Sequence, residues 1–285
     1  MKIFFGITLG TFLVSLILWG VYNVAFKHNP AIPTVKKDSS LIQTNSLSSA
    51  FKPSEKILPV TTERIVSATA DDRALYFYSL DEEAFRTSTL DGKDKETLLS
   101  NLPGIPMRIV WSPLKEKALV YIRKSTGSTL WYVADLKLKT LIELKPEISR
   151  VSWDNTGSKI IYQYTDFKTG SKTLNISRPD GSEWKVITEL GAQEFFIAPI
   201  PSSTLISYWN RPSARERGVF SSIPLSGGDT TALLSSKLGA DFLWSPTGDM
   251  VLVSSTDEED PSKIRLFLMN ESGGELRSLN NVATL

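Results

Sequence analysis

Two patterns of apolar residues follow one another along the chain. The first is a single run, Ile3 to Phe26, of 24 residues without a formal charge. At about 1.5 Å rise per residue, a helix of that length spans the roughly 30 Å hydrocarbon layer of a bilayer. Trp19, Tyr22 and Phe26 near its end suit the headgroup boundary. A cleaved signal peptide has a shorter apolar core and small residues before the cut. Here Asn23-Val24-Ala25 puts Asn where a small residue is wanted. The pattern predicts a transmembrane signal-anchor helix over residues 3–26, behind a short end at 1–2. Lys2 precedes it, and Lys27, His28, Lys36 and Lys37 follow, so the count of positive charge does not favour an inside N-terminus. An uncleaved signal anchor still translocates a large downstream domain, and the C-terminal part is expected outside the cytoplasm. Residues 27–55 carry three prolines and frequent serine with no apolar period, and read as a flexible tether.

The second pattern is periodic. Three segments share one form: an apolar strand ending in Trp, a polar turn, then a strand of β-branched and aromatic residues. They begin at Ile109, Val151 and Phe242, and their tryptophans are Trp111, Trp153 and Trp244. Two degenerate copies fill the gaps, with Ser67 and Pro199 at the Trp position; the anchors are then spaced by 44, 42, 46 and 45 residues. Each unit continues with a third strand, a turn such as Asp91-Gly92 or Asp180-Gly181, and a short fourth strand. Asp-Gly and Gly-Gly supply the positive φ values of tight hairpins. Four antiparallel strands per roughly 44 residues is the unit of a β-propeller blade. No sustained helical period occurs between Glu63 and Leu279. The units lie near 63–99, 107–144, 149–188, 195–234 and 240–279, with the start of another at 280–285. The expected fold is all-β, a β-propeller of about five four-stranded blades within residues 56–285, preceded by the single transmembrane helix.

Trp111-Ser112-Pro113 and Trp244-Ser245-Pro246, with Trp153-Asp154-Asn155-Thr156-Gly157 as a close variant, resemble the WD-type repeat of TolB-like propellers. The same repeat occurs in the propellers of prolyl-oligopeptidase-type enzymes. The resemblance covers residues 57–285 and is specific for architecture, because such blades serve many unrelated roles. It implies that the tryptophans are structural anchors packed between neighbouring blades, and that the first and fourth blades, which lack the Trp, use another filler. Related propellers have six or seven blades. Either the array is an incomplete six- or seven-bladed ring, truncated at its C-terminus with an exposed edge, or Ile57–Thr61 or Val282–Leu285 completes a shared blade.

Composition narrows the chemistry. Lys and Arg number 32 against 31 Asp and Glu, and one of the cations, Lys2, precedes the apolar run. A nucleic-acid partner would need a basic face that this balance does not offer. Cysteine is absent and His28 is the one histidine, so thiol catalysis, disulfides, a His-containing triad within the repeats and multi-His metal sites are all excluded. No phosphate loop, dinucleotide fingerprint or nucleophile elbow occurs, and no cofactor is expected. Ser112–Lys115 and Lys168-Thr169-Gly170 imitate motifs of penicillin-recognising enzymes. Ser112, however, falls in a blade turn, where the helical spacing that chemistry needs is missing. Asp257-Glu258-Glu259-Asp260 lacks the alternating spacing of a calcium loop and reads as a solvated acidic loop.

The least ordinary stretch is 207–218, read as an enlarged loop between the second and third strands of the fourth unit. Tyr208, Trp209, Arg211, Arg215 and Arg217 offer the aromatic area and charge of a recognition patch. Together these features point to a membrane-anchored, extracytoplasmic propeller that is not an enzyme. It would act as a binding or scaffolding module for an envelope protein, a peptide or a glycan. The alternative is the N-terminal part of a membrane-anchored, prolyl-oligopeptidase-like peptidase whose catalytic domain lies beyond Leu285.

Overall fold

The computed structural model describes residues 59–284 except 214, 215 and 275. The expected anchor helix and tether, residues 3–26 and 27–55, lie outside the described residues.

Twenty strands form five four-stranded antiparallel sheets, each built from consecutive strands in sequence order. Blade 1 holds β1 (Ile65–Ala70), β2 (Ala74–Ser79), β3 (Ala84–Thr89) and β4 (Glu96–Ser100). Blade 2 holds β5 (Gly104–Trp111), β6 (Lys117–Lys124), β7 (Thr129–Asp135) and β8 (Thr140–Glu143). Blade 3 holds β9 (Ile148–Trp153), β10 (Ile160–Thr165), β11 (Lys172–Ser177) and β12 (Lys185–Gly191). Blade 4 holds β13 (Phe195–Pro199), β14 (Leu205–Asn210), β15 (Arg217–Pro224) and β16 (Thr231–Leu238). Blade 5 holds β17 (Asp241–Trp244), β18 (Met250–Thr256), β19 (Lys263–Asn270) and β20 (Arg277–Thr284). No helix occurs among the described residues.

The turn after each anchor explains why the repeat has the form Trp-Ser or Trp-Asp. The residue following the Trp donates its backbone N–H to the carbonyl of a residue five positions on, as in Ser112 N–H to Lys117 O at 2.8 Å and Ser245 N–H to Met250 O at 2.8 Å. Its side-chain oxygen accepts the N–H of that same residue: Ser112 Oγ from Lys117, Asp154 Oδ1 from Lys159, Ser245 Oγ from Met250. A short polar side chain therefore closes the hairpin that the backbone has begun. In blade 4, where Ile200 occupies this place, Ser203 Oγ accepts from Leu205 N–H instead.

The cores lie between blades. Alternation along a strand sends successive side chains to opposite faces of the sheet, and four hydrophobic clusters occupy the four interfaces between consecutive blades. One holds Phe85 and Tyr78 of blade 1 with Val120 and Tyr132 of blade 2. The next joins Leu119 and Val133 to Trp153 and Ile160. The third joins Ile161 and Leu174 to Ile206 and Ile223. The fourth joins Trp209 and Phe220 to Phe242 and Trp244. Both faces of blades 2, 3 and 4 are thus covered, which is why their middle strands read as near-continuous apolar runs. No cluster among the described residues joins blade 5 to blade 1. On the far face of blade 5, Leu243, Leu252 and Leu268 are cross-strand partners, and Leu243 is 67% exposed. The corresponding side of blade 1 carries Glu63, from the segment before β1, which pairs with Arg86 at 3.4 Å and with Lys95.

Two details differ from the sequence pattern. In blades 2 to 5 the anchor pairs with a residue seven positions on: Trp111 with Ala118, Trp153 with Ile160, Pro199 with Ile206, Trp244 with Val251. In blade 1 that relation belongs to Thr69 and Tyr76, so Thr69 rather than Ser67 stands in the Trp position, 42 residues before Trp111. A bulge between Val66 and Thr69 displaces the pattern, and Ser67 sits there at φ 50°. The second difference concerns residues 280–284, expected to open another blade. They continue β20, because a register shift opposite Arg265 and Leu266 absorbs Asn280 and Asn281 and lets Val282 pair with Arg265. Residues 59–61 belong to no strand and complete no blade among the described residues.

Candidate functional site

The stretch read as a recognition loop is mostly strand. Tyr208 and Trp209 belong to β14 and Arg217 opens β15. Trp209 is buried, stacks on Phe196 with ring centroids 5.9 Å apart, and packs edge-on to Phe220 and Phe242. Its Nε1 donates to Asp241 Oδ1 of blade 5 at 2.9 Å. It fills the interface with blade 5, opposite to the blade 3 side, where the anchor position is Pro199 and the aromatic side chains are Phe195 and Tyr208. Tyr208, next in sequence, points to the opposite face, against Phe195 and toward blade 3. Arg217 pairs with Glu258 of blade 5 at 3.0 Å, Arg211 is exposed, and Arg215 lies outside the described residues. Strand alternation therefore separates the aromatic residues that the linear sequence groups.

The three repeat anchors act between blades. Trp111 Nε1 donates to Ser67 O of blade 1, and Trp153 Nε1 to Val110 O of blade 2 at 2.9 Å. Trp244 Nε1 donates to Ser207 Oγ of blade 4 at 2.9 Å, and that hydroxyl donates to Ala198 O. In the acidic loop, Asp257 accepts the Glu259 N–H and the Arg265 guanidinium, while Asp260 pairs with Lys263 at 2.9 Å. These contacts, Arg265 foremost, hold the Asp257 carboxyl below the usual range. Asp257 and Asp260 thus organise their own loop, while Glu258 reaches Arg217 of blade 4.

A concave site lies elsewhere, between blades 2 and 3. Strand β8 has four residues, against seven in β12 and eight in β16 and β20. The short outer strand leaves part of blade 3 uncovered, and a cleft of about 470 Å³ opens there. Ile148, Leu144, Tyr162 and Tyr164 form its more buried part; Ile142, Glu143 and Lys145 border it on one side, and Asp180, Gly181 and Trp184 on the other. Trp184 is 55% exposed, whereas the other described tryptophans are buried or half-buried. Gly181 sits at φ +84° with open space where a Cβ would stand, so the tight Asp-Gly turn keeps the mouth clear.

Both carboxylates at this cleft are held as anions. Glu143 Oε2 accepts from Lys124 Nζ at 2.8 Å and from the Tyr132 hydroxyl at 2.7 Å. The Lys124 bond, then the Tyr132 bond, pull its pKa down. Burial, reinforced by Glu143, raises that of Tyr132. Asp180 Oδ1 accepts from Ser182 Oγ at 2.6 Å and Ser182 N–H at 2.9 Å, and those bonds lower its pKa. In each case one oxygen takes both local donors. The cleft therefore presents ionised acceptors and aromatic faces, and neither acid is poised to give a proton near neutrality. Trp184 was legible only as the start of a fourth strand. The signal that marks it is its place in the turn, one residue ahead of Lys185, where β12 and its alternation begin.

Comparison with solved structures places this fold among β-propellers. TolB from Acinetobacter baumannii superposes with a TM-score of 0.50 at 18% identity, over 75% of this chain and 56% of that one. A structure from Agrobacterium tumefaciens assigned to TolB gives 0.54 at 16% identity, over 79% of this chain and 83% of that one. The propeller domain of the Trilobed protease from Pyrococcus furiosus, described as having an open velcro topology, gives 0.52 at 12% identity, over 76% and 70%. The architecture is that of a TolB-like β-propeller. These likenesses are of fold. The chain spans little more than half the length of the Acinetobacter protein. No protein-family model matches the sequence, and comparison with curated proteins finds no relative.

Proposed function

We propose that the chain is a membrane-anchored, extracytoplasmic β-propeller that binds an envelope protein, peptide or glycan and does not turn it over. The observation that carries this reading is the cleft between blades 2 and 3, where an exposed Trp184 shares the lining with two carboxylates held as anions. The uncharged run Ile3 to Phe26 supports the anchor. Large apolar pockets with a few convergent polar groups are the usual form of a binding site. The test uses the full chain in its membrane: protease added to the outer face of sealed, right-side-out vesicles should digest the propeller. Protection of the domain would overturn the exported orientation, and robust hydrolysis of a peptide or glycan by the purified full chain would overturn the non-catalytic reading.

The likeness to a protease propeller favours a second reading, in which the chain is the N-terminal part of a membrane-anchored, prolyl-oligopeptidase-like peptidase. An in-frame hydrolase domain in the DNA beyond codon 285 would decide for it.

A further inference from the structure

We infer that the cleft between blades 2 and 3 takes a neutral oligosaccharide, one pyranose ring stacked on Trp184 with its hydroxyls donated to Glu143 and Asp180; this rests on reading the cleft as the binding site.

Three observations select that ligand. The first is the flat, solvent-facing indole beside a cleft of about 470 Å³, within the range of small-ligand pockets, about 300–1,000 Å³. The C–H face of a pyranose carries partial positive charge and meets the negative face of an aromatic ring. The second is the state of the carboxylates. Glu143 uses Oε2 and Asp180 uses Oδ1 for local donors, which leaves Oε1 and Oδ2 as acceptors. An ionised carboxylate accepts only, so the ligand must donate, and a ring of hydroxyls does so on several sides. The third is charge balance. Lys124 sits on Glu143 at 2.8 Å, Arg178 acts on Asp180, and Lys145 borders the same cleft. A cationic peptide would meet a neutralised surface, whereas a neutral polyol needs no net field.

The site continues past one ring. A second cleft, of about 480 Å³, shares Ile142 and Asp180 with the first and runs along Lys159, Arg178 and Glu183. Those side chains pair with one another, Arg178 to Glu183 at 2.7 Å and Lys159 to Glu183 at 3.6 Å, and Lys117 pairs with Asp135 at 3.5 Å, so with Asp180 the lining holds three cations and three carboxylates without an excess of either sign. A chain of two or three sugar units would span both clefts.

The experiment titrates the full chain, held in a detergent without a sugar headgroup, with maltotriose, cellotriose and triacetylchitotriose, read by saturation-transfer NMR on the sugar protons. At least one should bind saturably. Trp184→Ala should weaken it by about tenfold or more while leaving the melting temperature unchanged, and Asp180→Ala should weaken it as well. Raising NaCl from about 50 to about 500 mM should change the affinity less than about twofold, because no ion pair forms with the ligand. Failure of all three sugars to bind, or binding undiminished in Trp184→Ala, overturns the inference. If an Arg- and Lys-rich peptide binds in a Trp184-dependent, salt-sensitive way while the sugars do not, the saccharide is wrong and the binding-module reading stands.

Discussion

The indole Nε1 of Trp153 donates to the backbone carbonyl of Val110, 43 positions earlier and one blade back, at 2.9 Å. Val110 lies next to Trp111, whose own Nε1 donates one blade further back, to Ser67. In blades 2 and 3 the repeat tryptophan thus fastens the blade to the main chain of its predecessor through a group that also fills the space between them, whereas in blade 5 the acceptor is the Ser207 hydroxyl. A buried indole N–H left unpaired would cost about 1–3 kcal/mol, and the main-chain acceptor meets that need whatever side chain the preceding blade carries. Side-chain divergence at the acceptor positions of blades 1 and 2 is tolerable for that reason.

Replacing Trp153 should separate the two roles. Trp153→Ala removes the ring from the cluster around Leu119 and Ile160 and should cost about 3–5 kcal/mol. Trp153→Phe keeps most of the packing, loses the hydrogen bond and should cost about 1–2 kcal/mol. Urea denaturation of both variants checks the ratio; a Trp153→Phe variant as stable as the parent would mean the bond to Val110 contributes nothing, and equal losses would mean the same of the ring packing.

Trp209 should behave as core. Trp209→Ala opens the cluster shared with Phe220 and Phe242 and removes the bond to Asp241, for an expected loss of about 3–5 kcal/mol. Arg211→Ala, at an exposed position, should stay within about 0.5 kcal/mol. A thermal melt showing the two variants alike would contradict the placement of Trp209 in β14.

What could be read from the sequence followed from what the repeat constrains. The third strand of every blade begins within a residue of its expected place, because it sits between two turns, the second of which bears Gly in four of the five blades. Blade 1 slipped by two residues because Thr69 offers no Trp to align and Ser67 lies in a bulge whose positive φ leaves no mark in composition. The candidate loop is divided for a different reason. Aromatic residues at 208 and 209 looked like one patch, but adjacent strand residues face opposite sides, and only the packing partners show that both sides are blade interfaces. The cleft was not legible because it arises from the shortness of β8, a property of one strand measured against its neighbours.

Adjacent positions on β17 test the uneven coverage of blade 5. Phe242 is buried against Phe220, with ring centroids 4.0 Å apart, whereas Leu243 is exposed on the other face. Phe242→Ala should cost about 3–5 kcal/mol, and Leu243→Ser less than about 0.5 kcal/mol. A comparable loss from Leu243→Ser in the purified monomer would show that its face is covered in solution.

The turn glycines should be intolerant of a side chain where they meet the preceding blade. Gly248 sits at φ +82° and a Cβ there would come 2.3 Å from Pro201 O of blade 4. The backbone oxygen cannot move away without carrying its turn with it, so Gly248→Ala should cost at least about 1–3 kcal/mol. Gly127, at φ +84°, meets nothing within 4 Å, and Gly127→Ala should cost only the conformational part, about 1–2 kcal/mol. Chemical denaturation of the pair tells contact from conformation; identical losses would mean that the approach to Pro201 is relieved.

The acid sensitivity of blade 1 should centre on Glu63. Its carboxylate accepts from Lys95 and pairs with Arg86 at 3.4 Å, with both Glu63 and Arg86 side chains 15% exposed. The Lys95 bond is the main reason its pKa falls below the ordinary 4.5; burial opposes the shift, and Ser79 and Arg86 add to it. A group whose folded pKa is depressed binds its proton more weakly in the native state. Its contribution to stability is therefore complete above the unfolded value and fades as pH drops through the folded one. Glu63→Gln should lower stability at pH 7, and its deficit relative to the parent should shrink steadily as pH falls below about 4.5. Lys95→Met should show the same convergence, since the proton and the ammonium act on one carboxylate. Unfolding curves between pH 7 and pH 3 make the comparison, and a deficit that stays constant across that range would assign Glu63 a packing role and remove the ion pair from the account of blade 1.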